Sequence, residues 1–166
     1  IKAMYIQGEN PAMSDPDANH ARAALAKLDH LVVQDIFLTE TAHYADVILP
    51  ASAAPEKTGT FINSDRMVQI GRQAVTPPGD ARQDLWIIQA IAQGLGLEWH
   101  YEAAQDVFNE MRLGMDSIAG MTWERLEQET ITYPCHQEQD AGQAIIFTDD
   151  FPTASGKARL VPADII

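Results

Sequence analysis

The chain has 166 residues, 46% of them hydrophobic, which is enough for one domain with a real core and too apolar for a disordered segment. Its 11 basic and 24 acidic side chains give a formal charge of −13, a surface that repels phosphate backbones and argues against nucleic acid as a partner. No apolar run approaches the roughly 18–20 residues that span a bilayer, and a lone cysteine, Cys135, excludes an internal disulfide or an all-cysteine metal site built from this chain.

Taken in order, the first third alternates strand and helix signals. Ala3 to Ile6 reads as a short apolar strand closed by Gln7-Gly8-Glu9-Asn10-Pro11. Asp15 is placed to cap a helix with Pro16 in its first turn, and Ala18, Ala21, Ala24, Leu25 and Leu28 fall on one face of it. Leu31-Val32-Val33 forms the next strand and ends in Gln34-Asp35. Thr39 or Thr41 can cap a brief helix through Tyr44, and Val47-Ile48-Leu49 makes a third strand stopped by Pro50. Such spacing implies parallel strands with right-handed crossovers, covered on both faces.

Beyond residue 50 the texture changes. A small-residue loop, Ala51 to Thr58, leads into two short strands, Gly59 to Ile62 and Met67 to Ile70, around the turn Asn63-Ser-Asp-Arg66. After Pro77-Pro78-Gly79 comes the clearest helix, with Leu85, Ile88, Ile91, Ala92 and Leu95 on one face. Weaker helices are expected over about 103–113 and 122–129. Ile131 to Gly142 is polar and irregular, and Ala144 to Phe147 and Ala158 to Val161 resemble strands about Ser155-Gly156. The fold expected is α/β, an open and mainly parallel sheet with flanking helices. Residues 1–100 would form an α/β half-domain, and residues 101–166 a helical and irregular extension. The chain opens inside a strand-like run and stops just after another, so it reads as an excerpt of a longer protein.

The usual catalytic signatures are missing: no His-Glu-x-x-His, no Gly-x-x-x-x-Gly-Lys, no Gly-x-Ser-x-Gly and no paired cysteines. The five histidines have no metal-ligand spacing to one another, and Cys135 reads as a small buried filler. What remains is polar residues at strand ends, where open α/β sheets bind ligands. Gly8 lets a backbone approach a ligand, Asn10 can donate to a phosphate or accept from a base, and Asp35 can accept from N1 and N2 of guanine. Equally, Asn10 and Asp35 can simply shape turns or cap the following helices.

Several runs carry a resemblance: Val33-Gln-Asp-Ile-Phe-Leu-Thr-Glu-Thr-Ala42, Ala45-Asp-Val-Ile-Leu-Pro50, Glu56-Lys-Thr-Gly-Thr-Phe61, Asp65-Arg66 with Gln69, Gln83-Asp-Leu-Trp86, Tyr133-Pro-Cys135 and Ser155-Gly-Lys-Ala158. In this order they resemble the third, cofactor-binding domain of the dimethyl sulfoxide reductase superfamily, and within it the catalytic subunits of formate dehydrogenases. The resemblance implies a parent enzyme holding molybdenum or tungsten through bis(molybdopterin guanine dinucleotide). It implies formate as the parent's substrate, electron-transfer subunits as partners, and a 4Fe-4S cluster outside this stretch. The metal-binding cysteine or selenocysteine and its neighbouring histidine would lie upstream and a closing β-barrel downstream, so this stretch alone would hold no metal and turn over nothing.

Carried across residue by residue, Asn10 matches a dinucleotide contact, Gln34 and Asp35 the guanine end, Lys57 a phosphate or pterin contact, and Asp84 a further polar contact. With Gly8, Glu9 and Thr39 these make the candidate cofactor-binding set. Lys57 has a plain alternative, an ion pair with Glu56 or Asp65, and Asp84 stands where a helix cap belongs. A nitrate reductase, the large iron–sulfur subunit of respiratory complex I and a cofactor-free α/β binding domain are the alternatives. A cytoplasmic location is the expectation, with the periplasm as the other possibility.

Overall fold

A computed structural model describes residues 1–163; positions 164–166, the end of the expected extension, lie outside the described residues. The first half is built on β1 (Ala3–Gln7), β2 (His30–Asp35) and β3 (Val47–Pro50), in the order β1-β2-β3. All pairs are parallel, with Gln7 opposite Gln34 and Asp35 opposite Pro50, so the three carboxyl ends lie level, as the strand spacing predicts. Two helices, α1 (Pro11–Ser14) and α2 (Ala18–Leu25), and a 3₁₀ turn at Thr41–Tyr44 connect them.

The register sorts the side chains. Ile6, Leu31 and Val33 share one face and pack with Ala12, Leu25 and Ala42 from the connecting segments. The opposite face carries Tyr5, Gln7, Val32, Gln34, Val47 and Leu49. Here the expectation of two covered faces fails: Tyr5 and Val47 are 41% and 39% exposed, and burial is reached only near the carboxyl end, at Gln34. The start of α2 is also corrected. Its cap is Asp17, whose side chain accepts from the His20 amide at 3.1 Å, while Asp15 accepts from the Asp17 amide at 2.9 Å. Pro11, not Pro16, opens a helix, the short α1.

The second half holds β4 (Gly59–Ile62) and β5 (Met67–Gly71), an antiparallel hairpin, and a third strand, β6 (Ile131–Thr132), paired to β5. β6 lies in the stretch read from sequence as irregular. Around it pack α4 (Ala104–Gly114) and the single-turn α5 (Trp123–Leu126). Val68, Phe108, Ile118, Met121, Trp123, Leu126, Ile131 and Cys135 form the second core, with Phe108 and Trp123 edge-on at 6.1 Å. Cys135 is the buried filler expected. This cluster draws on residues from both sides of position 100.

After the hairpin comes α3 (Asp84–Gly94). Of the face expected, Ala92 is buried and Leu85 and Ile88 are half-buried, whereas Ile91 is exposed and Leu95 is 77% exposed; Ile87, outside that face, is buried. The strands expected at Ala144–Phe147 and Ala158–Val161 do not form, and Ile145 and Leu160 there stand 75% and 90% exposed. Apolar alternation without a partner strand or a face to bury leaves the backbone irregular.

Candidate functional site

The level carboxyl ends of β1, β2 and β3 set up the site. Just past β1, Gly8 has φ +62°, which glycine adopts without strain, and its amide donates to the Gln34 carbonyl at 2.9 Å. Nothing lies within 4 Å of where a Cβ on Gly8 would sit, so the position calls for glycine by conformation and leaves its surface open. Past β3, the Ala51 amide donates to the Asp35 carbonyl at 3.0 Å, and the Arg82 amide to the Pro50 carbonyl at 3.1 Å. The second of these bonds brings the chain just before α3 alongside the sheet end. A cleft of about 260 Å³ results, lined by Gly8, Gln34, Asp35, Ser52, Lys57 and Asp84 among others.

Five of the eight candidates therefore meet in one cleft. Gln34 is buried at 1% exposure, and both ends of its amide are engaged. Oε1 accepts from the Tyr5 hydroxyl, and Nε2 donates to Asp84 Oδ1 at 2.7 Å. Lys57 Nζ donates to the other oxygen of Asp84 and to the Ser52 carbonyl at 3.1 Å. Gln7 adds a longer bond to Asp84 at 3.4 Å. Burial pushes the Asp84 carboxyl up, but the hydrogen bonds from Lys57 and Gln34 and the lysine charge outweigh it, so its pKa falls below the ordinary carboxylate value.

Two alternatives from sequence are thereby corrected. Lys57 pairs with neither Glu56 nor Asp65 but with Asp84, 27 positions away. Glu56 instead accepts from the Ala53 amide at 2.8 Å. Asp84 does not cap α3, whose N-cap position is Gln83. The remaining candidates serve the backbone or stand apart. Asn10 Oδ1 accepts from the Thr41 amide at 3.1 Å and hydroxyl at 2.8 Å, and its Nδ2 donates to Glu40 at 2.7 Å. The Thr39 hydroxyl accepts from the Ala42 amide at 3.3 Å, but the N-cap position of the 3₁₀ turn is Glu40, not Thr39 or Thr41. Glu9 is exposed and lies outside the cleft lining.

Asp35 Oδ1 accepts from its own turn, the Ile36 amide at 2.6 Å and the Phe37 amide at 3.3 Å, and the residue itself forms part of the cleft lining. Turn shaping and a place on the cleft wall thus coexist in one residue.

Sequence reading missed two residues. Ser52, at 2% exposure, has a hydroxyl that is the one buried side-chain polar atom without a partner among the described residues. Buried hydroxyls nearly always have partners, so an orphan on a cleft wall marks a group that a bound molecule can complete. Its signal was the small-residue run directly after β3. Tyr5 was legible from strand alternation, which puts it on the face of Gln7 and Gln34. Among the described residues no group of three or more His, Cys, Asp or Glu side chains is arranged to hold a metal ion, and no helix is long and apolar enough to cross a membrane.

The family model for molybdopterin oxidoreductases matches residues 1–94, the part that builds the cleft. The F420-dependent formate dehydrogenase subunit alpha of Methanocaldococcus jannaschii is 47% identical over 166 residues, 99% of this chain and 25% of that protein. A probable oxidoreductase of Bacillus subtilis, YjgC, is 42% identical over 98% of this chain and 16% of its own length. Among solved structures, acetylene hydratase from Pelobacter acetylenicus superposes with a TM-score of 0.65 at 27% identity, over 94% of this chain and 21% of that one. The chain thus spans about a quarter of the methanogen relative's length. A parallel sheet with a polar cleft at its carboxyl end, matched by the family model over that same sheet, makes this chain a member of the molybdopterin oxidoreductase family.

Proposed function

We propose that the chain is the dinucleotide-binding part of a formate dehydrogenase that carries molybdenum or tungsten on bis(molybdopterin guanine dinucleotide). The observation that carries the reading is the cleft, whose lining brings the Asp35 carboxylate, a lysine and a serine with an orphan hydroxyl together at the level ends of a parallel sheet. At about 260 Å³ it is smaller than the roughly 300–1,000 Å³ pockets that enclose drug-sized ligands, so it takes one end of such a cofactor. The donor set fits the guanine end. Asp35 Oδ2 accepts from the ring and exocyclic N–H donors of guanine, an edge that adenine does not present. Lys57 faces an anionic group, and the Ser52 hydroxyl gains its missing partner.

When bound, the cofactor supplies the two-electron chemistry by which formate becomes carbon dioxide. The chain's own residues bind and orient: Gly8 allows close approach, Asp35 selects the base, and the Lys57–Asp84 pair fixes a charge at the cleft wall. A 4Fe-4S cluster and partner subunits outside this chain would carry the electrons to an acceptor. The formate dehydrogenase names of the relatives support formate as the substrate.

The test is to purify the full-length enzyme, release its small molecules by acid, and quantify guanine nucleotide, molybdenum and tungsten alongside formate-dependent dye reduction. Guanine nucleotide near two per metal, with formate activity, is expected. A metal-loaded enzyme with no guanine nucleotide refutes the dinucleotide assignment, and one inert to formate refutes the substrate.

A further inference from the structure

We propose that Tyr5 is a positioning residue of the cleft: its hydroxyl holds the Gln34 amide, which in turn holds the Asp84 carboxylate against Lys57. The inference rests on the cleft being the dinucleotide site. It starts from the chain of bonds Tyr5 to Gln34 to Asp84 to Lys57, which ties β1, β2, α3 and the loop after β3 into one unit.

The two ends of an amide are chemically opposite, and here each meets its complement. Gln34 Oε1 faces a hydroxyl donor, and Nε2 faces a carboxylate at 2.7 Å. Gln34 is 1% exposed, so water does not replace a lost partner. Without the Tyr5 hydroxyl, a buried carbonyl oxygen is left unpaired and the amide is drawn towards any other donor in reach, loosening its grip on Asp84.

Asp84 receives Lys57 on one oxygen and Gln34 on the other, with Gln7 a longer third contact at 3.4 Å. The place of the lysine ammonium at the cleft is therefore set by a carboxylate whose own place depends on Gln34. Tyr5 lies on the same sheet face as Gln34, diagonally across the β1–β2 register. Its ring is 41% exposed, so its packing contributes little to the core and the hydroxyl is the part that matters. Burial, and behind it the Asp84 charge, raise the pKa of the phenol, which keeps it protonated and a donor.

The experiment measures how fast purified full-length holoenzyme loses guanine nucleotide on dialysis, in wild type, Tyr5→Phe, Lys57→Met and the double variant, with thermal midpoints recorded beside each. One neutral hydrogen bond acting through the lysine corresponds to about a two- to tenfold faster loss in Tyr5→Phe. Lys57→Met should lose nucleotide faster still, and the double variant no faster than Lys57→Met alone. That non-additivity distinguishes positioning from general loosening, which adds its own factor in both backgrounds. Gln34→Met, which fills similar space without an amide, should match Tyr5→Phe or exceed it and provides the same test if Tyr5→Phe folds poorly. Wild-type loss in Tyr5→Phe with faster loss in Lys57→Met overturns the role of Tyr5 and leaves the site standing. Factors that multiply in the double variant overturn it as well. Wild-type rates in both single variants overturn the dinucleotide site itself and the inference with it.

Discussion

At the carboxyl end of the parallel sheet, polar side chains meet one another beside a cleft; around the antiparallel sheet, the arginines meet backbone. Gln34, Lys57 and Asp84 form a side-chain network, with the Ser52 hydroxyl beside it unpartnered. In the second half, arginines donate to main-chain carbonyls: Arg66 to Gln143 at 3.0 Å and Ala144 at 2.8 Å, Arg112 to Ala119 at 2.6 Å, and Arg125 to Gly120 at 2.8 Å and Asp140 at 2.9 Å. The reason is structural. Residues 115–144 contain little helix or strand, and carbonyls that no ladder satisfies need side-chain donors. Close backbone approach follows: a Cβ on Gly120 would lie 2.2 Å from the Gln137 carbonyl oxygen. One half spends its polar groups on holding the chain together, and the other leaves some of them available to a ligand.

This contrast breaks if damage to one half carries the signature of the other. The largest effect is expected in the second core. Trp123→Ala removes a buried indole that packs edge-on to Phe108 and should cost about 3–5 kcal/mol. Denaturant unfolding checks this, and the molecules that remain folded should keep their guanine nucleotide. Next comes Arg125→Met, which strips the carbonyls of Gly120 and Asp140 of a charged donor. A loss of about 1.5–3 kcal/mol in unfolding free energy is expected, again with unchanged nucleotide per folded protein.

The smallest effect is a dependence on pH. Because the Asp84 pKa is lowered in the folded state, its contribution to stability is complete above the unfolded carboxylate value of about 4. It is lost as pH falls through the lowered folded value. Asp84→Asn should therefore lie below wild type in thermal midpoint near neutrality and converge towards it at acid pH. Parallel curves would mean that the Lys57 and Gln34 contacts do not stabilise the carboxylate.

Much of the first half was legible because its strands end on residues with local meaning. Gly8, Asp35 and Pro50 each stop a run of apolar residues, and level endings follow once the strands are parallel. The hairpin at Asn63–Arg66 was likewise readable from its turn. The partnership of Lys57 with Asp84 was not, since the sequence offered Glu56 next door and nothing local names a residue 27 positions on. β6 escaped because a two-residue strand has no period, and its pairing depends on β5 being already in place. Conversely, Ala144–Phe147 has strand composition but no neighbour to pair with. The buried face of α3 was read only in part, Ala92 correctly and Ile87 not, because a helix apolar nearly all round does not declare which side is buried.

Asp35 tests the central claim, that the cleft binds a guanine dinucleotide, most directly. In Asp35→Asn the retained oxygen can still accept from Ile36 and Phe37, so the turn survives, while the oxygen proposed to meet guanine becomes an NH₂ that opposes the guanine donors. Each charge-assisted bond is worth about 1.5–3 kcal/mol, so nucleotide should be lost on dialysis at least about tenfold faster than from wild type. The thermal midpoint of nucleotide-free protein should stay unchanged. Full guanine content and wild-type retention in the purified Asp35→Asn enzyme would contradict the account.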